Sequence, residues 1–268
     1  MNDARSATAL DDFLAAAQDA PRRTALFCDI DGTLAPVVAR ADDARVPTEV
    51  SRVLGRLSAR LGLVACVSGR GAADAKRLVG VGGVVYAGAH GAELLDPATG
   101  VVERAPELEA WQQPVQDFVA ALDQSELRRN GVRFEDKQFI QALHWRGAED
   151  EDVAEQLVAE AEAAAREKGF EVHRGRMVLE IRPPIHFNKG VAVTRLVQQS
   201  AVTAAAFIGD DATDIDAFDA LHQLRASQDL QVTLCVGVAS EEQPERLVER
   251  ADLMVPGTAG VAELLQQI

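Results

Sequence analysis

The sequence predicts an α/β chain whose parallel-sheet core is split by an inserted α+β module. Three observations carry that expectation. Short apolar runs alternate with amphipathic stretches of helical spacing between residues 24 and 88. The same alternation resumes after residue 186. Between the two blocks the order becomes helix, two strands, longer helix, two strands, an αββαββ module. Because the βα series is interrupted and then continues, the simplest plan is a Rossmann-like core formed by residues 1–105 and 184–268, with residues 106–183 as the insert.

The first 22 residues hold a short helical pattern, ALDDFLAAAQDA, ended by Pro21. TALFCDI at 24–30 reads as the first strand, TEVSRVLGRLSARL as a helix, LGLVACVS as the second strand, AADAKRLVG as a shorter helix and GVVYAG as the third strand. A turn at Asp96-Pro97-Ala98-Thr99-Gly100 precedes the insert and Pro183-Pro184 follows it. Within the insert, 107–124 reads as an amphipathic helix and 131–135 and 138–145 as strands. Residues 150–168 form an Ala/Glu helix whose expected core face is Val153, Leu157 and Val158, and 170–173 and 177–182 are the last two strands. The second core block gives the helix KGVAVTRLVQQS, the strand AAAFIGD, the helix DIDAFDALHQL, and the strands QVTLCVGV and ADLMVPG.

Composition narrows the function. At 268 residues and 47% hydrophobic the chain can bury a sizeable core, and its apolar runs are too short for a membrane helix. The start MNDARSATAL has no basic segment followed by an apolar one, so a soluble, cytoplasmic protein is expected. Cys28, Cys66 and Cys235 each fall inside an apolar strand, as reduced core thiols do. With 42 acidic and 27 basic residues the formal charge is −15, which argues against nucleic acid or an anionic membrane as partner. An anionic small substrate then needs a local cluster of cations, helix N-termini or a metal ion.

In open α/β sheets functional side chains gather beyond the carboxyl ends of the strands. The first strand ends in Asp29 and Asp31, the second in Ser68 followed by Gly69-Arg70, and AAAFIGDDATD in Asp210, Asp211 and Asp214, while Lys189 opens a helix. Asp29 and Asp31 are two residues apart, so an extended backbone points both to one side, where they repel unless a cation or a proton intervenes. With Asp210 they make a hard-oxygen site of the kind Mg²⁺ accepts. Lys189 balances a phosphate, Ser68 donates to it, and the helix start near Asn188 offers free N–H groups. Singly these are bland: DIDGT could be a strand and a tight turn, and Lys189 a solvated helix start. Their conjunction, in order, is not.

Those four sites, DIDGT, SGR, Lys189 and GDDATD, resemble the motifs of the haloacid dehalogenase superfamily of phosphotransferases over nearly the whole chain. The resemblance implies Asp29 as nucleophile through an aspartyl-phosphate, Asp31 as general acid and then base, and Ser68 and Lys189 as holders of the phosphoryl oxygens. It also implies Mg²⁺ bound by Asp29, the backbone carbonyl of Asp31 and Asp210, with Asp211 or Asp214 in support.

Within the insert, alternation puts Glu135 and Lys137 on one face and lets Arg176 and Glu180 share one, a set suited either to sugar hydroxyls or to cross-strand ion pairs. SGR, YAGAHGAE, EDK with HWR, GRMVLEIRP and GDDATD together resemble the trehalose-6-phosphate phosphatases, which carry a C2-type cap. That resemblance implies sugar contacts from Glu135, Lys137, Arg146, Arg176 and Glu180, with Arg70 and His90 near the cleft. This chain departs from the family in having Arg176 where lysine is usual and HWR where HYR is commoner. Implied, then, is a Mg²⁺-dependent trehalose-phosphatase acting as a monomer on a small sugar phosphate. Related core-and-insert chains act on sucrose phosphate or mannosylglycerate phosphate, or are phosphomannomutases, and degenerate ones bind sugar phosphates without catalysis.

Overall fold

The computed structural model describes residues 2–38, 40, 43–104, 106–137, 139–185, 187–240 and 243–268. It divides into two compact units, Met1–Glu103 with Phe187–Ile268, and Arg104–His186.

The first unit begins with α1 (Asn2–Asp19), β1 (Thr24–Cys28), α2 (Thr48–Arg60), β2 (Leu63–Val67), α3 (Ala72–Val79), β3 (Val85–Gly88), β4 (Glu93–Leu95) and β5 (Val102–Arg104). In the second unit come α4 (Pro106–Ala121), α5 (Gln124–Arg129), β6 (Arg133–Asp136), β7 (Gln141–His144), α6 (Glu151–Glu167), β8 (Glu171–Gly175) and β9 (Val178–Arg182). The first unit then resumes with α7 (Lys189–Gln198), β10 (Ala204–Gly209), α8 (Asp214–Ala226), β11 (Val232–Ala239), α9 (Glu245–Arg250), β12 (Leu253–Pro256) and α10 (Gly257–Gln267).

Eight strands form one sheet in the order β12-β11-β10-β1-β2-β3-β4-β5, parallel from β12 to β3 and antiparallel between β3 and β4. Both faces of β1 are covered, which is why TALFC is buried throughout and apolar after Thr24. Leu26 and Cys28 point into one core layer with Phe13 of α1, Val50, Leu54 and Leu57 of α2, and Leu264 of α10. Ala25 and Phe27 point into the other, with Val193 and Leu196 of α7 and Phe218 and Leu221 of α8. Alternation therefore aims the residue after the strand, Asp29, toward the side of α7 and α8. Cys28 faces away from it, and all three cysteines are buried free thiols.

The second unit is an antiparallel sheet, β6-β7-β9-β8, with its own core of Val115, Leu143, Trp145, Val158, Leu179 and Ile181. Its α6 corrects one expectation: Val153 is exposed, and Ala154, Val158, Ala161 and Ala165 form the buried stripe, beside a partly buried Leu157. Apart from Val158, the i, i+4, i+7 spacing is carried by alanines, which hydrophobicity ranks below the neighbouring Val153. Other elements exceed the sequence reading: α1 begins seven residues before Ala9, α5 is a separate turn capped by the Asp123 side chain, β4 and β5 pair beside β3, and α9 and α10 flank β12. Among the described residues no helix is long and apolar enough to cross a membrane.

Candidate functional site

The carboxyl ends of β1 and β10 lie side by side, since Cys28 registers with Ile208. Asp29 and Asp210 thus leave neighbouring strands at one level, and α7 brings Lys189 to them, its first turn capped by Asn188 Oδ1 accepting from Val191 N at 2.9 Å. Lys189 Nζ donates to Asp29 Oδ1 and to Asp214 Oδ1, each at 2.7 Å. All three are buried: Lys189 is 2% exposed, Asp29 4% and Asp214 0%.

Asp214 has a second task. Its Oδ2 accepts from the backbone N–H groups of Asp210 (2.9 Å) and Asp211 (3.0 Å), which fixes the turn that carries Asp210. Asp210 Oδ1 accepts from Thr33 Oγ1 at 3.2 Å, a contact no sequence signal announces. Gly32 makes that approach possible: its φ is +88°, and a Cβ there would lie 2.0 Å from Asp210 Oδ2.

Oxygen atoms of Asp29, Asp210 and Asp214 lie within 4.8 Å of one another. Burial raises the Asp29 carboxyl to about 8 against the pull of Lys189, with the nearby Asp210 and Asp211 charges adding to the rise. Burial and the Asp214 and Asp211 charges likewise raise Asp210 to about 7. One lysine is too little positive charge for these carboxylates. The donor set is all hard oxygen, and it fits a divalent cation such as Mg²⁺. Asp214, with both oxygens engaged by donors, supports that site rather than facing it, whereas Asp29 and Asp210 retain accepting capacity.

The other acidic residues are arranged differently. Asp211 is half exposed, 4.0 Å from Lys189, and its Oδ1 accepts from Thr213 N, Thr213 Oγ1 and Asp214 N at the start of α8. Burial alone would push its carboxyl up, but Lys189 and the Thr213 donors bring it down to about 2. Asp31 turns its carboxylate to Arg70, which donates from Nε to Oδ2 and from Nη2 to Oδ1, both at 2.6 Å, in a bidentate pair. Ser68 is buried at the end of β2, its Oγ accepting from Arg70 N at 3.2 Å. His90 is buried in a 3₁₀ turn with φ 56°, and its N–H donates to Ser68 O at 3.0 Å. Asp29, Asp31, Ser68, Arg70, His90, Lys189 and Asp210 all belong to the first unit, at or just beyond strand ends.

In the second unit Glu135, Ala142 and Glu180 stand in one row across β6, β7 and β9, and their side chains share a face. Lys137 Nζ donates to Glu180 Oε1 at 2.9 Å and lies 3.8 Å from Glu135 Oε2. Arg182 pairs with Glu180, and His144 Nε2 meets Glu135 Oε2 at 2.8 Å. His144 and Arg182 were not among the expected site residues, although the same period-2 rule places them on this face. The expected sharing of a face by Arg176 and Glu180 rests on alternation along one strand, but Arg176 does not lie in that strand. Arg176 and Met177 form the turn between Gly175 and Val178, where Met177 has φ 56°, and counting alternation through a reversal carries no meaning. Exposed Arg146 reaches the Arg176 carbonyl at 3.5 Å, so these two arginines sit together at the turn.

Comparison with known proteins places the fold in the haloacid dehalogenase-like class. A haloacid dehalogenase-like hydrolase from Bacteroides thetaiotaomicron superposes with TM-score 0.63 at 14% identity over 91% of this chain and 98% of that one. The C-terminal domain of C. albicans trehalose-6-phosphate phosphatase gives TM-score 0.75 at 22% identity over 96% and 94%. The sequence model of the Trehalose-phosphatase family matches residues 27–249, and the chain belongs to that family. A Mycobacterium avium trehalose-phosphate phosphatase is 38% identical over 208 residues, 75% of this chain and 52% of that protein. The chain spans about half the length of such curated relatives.

Proposed function

We propose that the chain hydrolyses trehalose 6-phosphate to trehalose and inorganic phosphate through an aspartyl-phosphate on Asp29. The observation that carries the reading is the buried carboxylate of Asp29 at a strand end, held by Lys189 among further carboxylates, in a member of this family. An Asp29 oxygen attacks phosphorus while the bond to the sugar oxygen breaks, and Asp31 gives that oxygen its proton. Asp31, now a base, takes a proton from the water that attacks the aspartyl-phosphate, which frees phosphate and restores Asp29. Lys189 and Ser68 hold the phosphoryl oxygens through both steps, and Arg70 and His90 stand with them. Asp29, Asp210 and the Asp31 carbonyl, with Asp214 behind them, would hold Mg²⁺, which would supply charge neutralisation for the phosphoryl group.

Sugar recognition is assigned to the second unit: Glu135, Lys137 and Glu180 as the principal contacts, with Arg146 and Arg176 as further ones. The reading includes a cytoplasmic monomer acting on a small molecule, with neither nucleic acid nor membrane as partner. The test is phosphate release over a panel of sugar phosphates, with and without Mg²⁺. Expected is the highest kcat/KM on trehalose 6-phosphate, dependent on Mg²⁺ and independent of any bisphosphate. A higher value on sucrose phosphate or mannosylglycerate phosphate, or turnover only with a sugar bisphosphate, would overturn it.

A further inference from the structure

A second group of ligand-type side chains stands apart from the acidic cluster. His222 lies on α8, Cys235 in the middle of β11, and Asp252 between α9 and β12, and one ligand atom from each falls within 4.8 Å of the other two. Nothing in the proposed phosphatase reaction uses them. Cys235 is fully buried, and among the described residues its Sγ approaches the Phe218 carbonyl at 3.9 Å besides the His222 ring. Asp252 is held in place from both sides: its N–H donates to the Cys235 carbonyl at 2.8 Å, and its Oδ2 accepts from Cys235 N at 2.9 Å.

The spacing has a specific meaning. His222 Nε2 and Cys235 Sγ are 3.6 Å apart. Two ligands of a tetrahedral zinc-type ion, one sulfur at about 2.3 Å and one imidazole nitrogen at about 2.0–2.1 Å, are separated by about 3.6 Å. A thiol–imidazole hydrogen bond explains that one distance, and the bonds to the Cys235 backbone hold the Asp252 carboxylate beside it as a third ligand-type group. A nitrogen, a sulfur and an oxygen ligand from three elements also differ in kind from the all-oxygen group at Asp29, so the two sites would prefer different ions.

We propose that His222, Cys235 and Asp252 form a site for a zinc-class divalent cation, with water as the remaining ligand. Binding replaces the Cys235 S–H bond by a sulfur–metal bond, the proton passing to solvent, with no change in oxidation state. The ion ties α8 to β11 and to the chain entering β12. Asp214, which holds Lys189, is the first residue of α8, about 12 Å along the helix axis from His222. The site therefore braces the helix that positions the lysine, and it stands whether or not the substrate reading holds.

Cobalt(II) is the probe, added to protein stripped with a chelator and dialysed. Expected is a thiolate-to-cobalt charge-transfer band in the near ultraviolet that saturates at one equivalent and is displaced by Zn²⁺. Cobalt at the Asp29 group gives no such band, since no sulfur is among its ligands. Cys235→Ala should abolish the band. Should that core substitution impair folding, His222→Gln and Asp252→Asn serve instead, the latter retaining an oxygen to accept from Cys235 N, and each should weaken cobalt binding at least tenfold. Absence of the band in the wild type, or a band of unchanged affinity in both of those variants, overturns the proposal.

Discussion

Lys189 carries its charge with almost no contact with water, between Asp29 and Asp214. Removing one partner of a buried pair leaves the other uncompensated, at a cost of about 3–5 kcal/mol. Lys189→Met is therefore expected to lower the unfolding midpoint as well as to remove activity, and it cannot by itself assign a chemical role. Asp29→Asn is the cleaner test, because Lys189 keeps Asp214. Its turnover should vanish while circular dichroism and the denaturant midpoint stay near those of the wild type; near-normal turnover would remove Asp29 as nucleophile. The strand-end positions of Asp29, Ser68 and Asp210 could be read from residue order alone, since each follows an apolar strand run. Which acid does what could not. Asp211 and Asp214 sit in one short motif, and only the turn into α8 decides that Asp214 goes inward to Lys189 while Asp211 accepts from Thr213 and Asp214 N in that turn. A second residue-scale expectation concerns Glu135, whose carboxyl is held below its ordinary 4.5 chiefly by the bond from His144. A depressed folded-state value favours the fold above the unfolded pKa, and that contribution disappears as pH falls through the folded value. Glu135→Gln should thus flatten the acid limb of a urea-midpoint series run downward from pH 6, whereas a limb as steep as that of the wild type would mean the pair contributes nothing.

At the scale of elements, α7 shows how packing overrides local preference. Replacing a helical glycine with alanine normally gains about 1 kcal/mol. At Gly190, however, a Cβ would lie 2.3 Å from the Asp216 carbonyl of α8 and 3.3 Å from Ala220 Cβ. Overpacking of this kind costs about 1–3 kcal/mol, so Gly190→Ala should be destabilising and, by pushing α7 from α8, should displace Lys189 and lower kcat more than it raises KM. Unchanged thermal unfolding would show that the helices part without cost. The same contrast explains which elements were legible. β1, β2, β10 and β11 are covered on both faces and, Thr24 and Thr233 apart, appear as unbroken apolar runs. β4 and β5 are three residues each, too short for any period to register, and Gly257, which looks like the end of a strand, is the first residue of α10. The α6 face was misread at Val153 because three alanines with Val158, not the larger Val153, make its buried stripe.

For the whole molecule, a chain of formal charge −15 proposed to take an anionic substrate depends on local rather than global fields. At physiological salt the screening length is about 8 Å, so a phosphate group responds chiefly to the cations beside it, and the division of labour between the two units becomes testable. The catalytic side chains proposed here lie in the first unit and the sugar contacts in the second. Glu180 is the informative position, because it carries Lys137 at 2.9 Å and Arg182 as well, so its loss disturbs the charged row of the second sheet. A hydrogen bond to a charged group is worth about 1.5–3 kcal/mol, which corresponds to about 10- to 150-fold in kcat/KM. Glu180→Ala should lose that much on trehalose 6-phosphate and little on an aryl phosphate, which has no sugar to read. The aryl phosphate also serves as the folding control, since a misfolded variant would lose both activities. Equal loss on the two substrates in a variant with wild-type thermal unfolding would instead tie Glu180 to the chemistry shared by both, and would remove the second unit as the reader of the sugar.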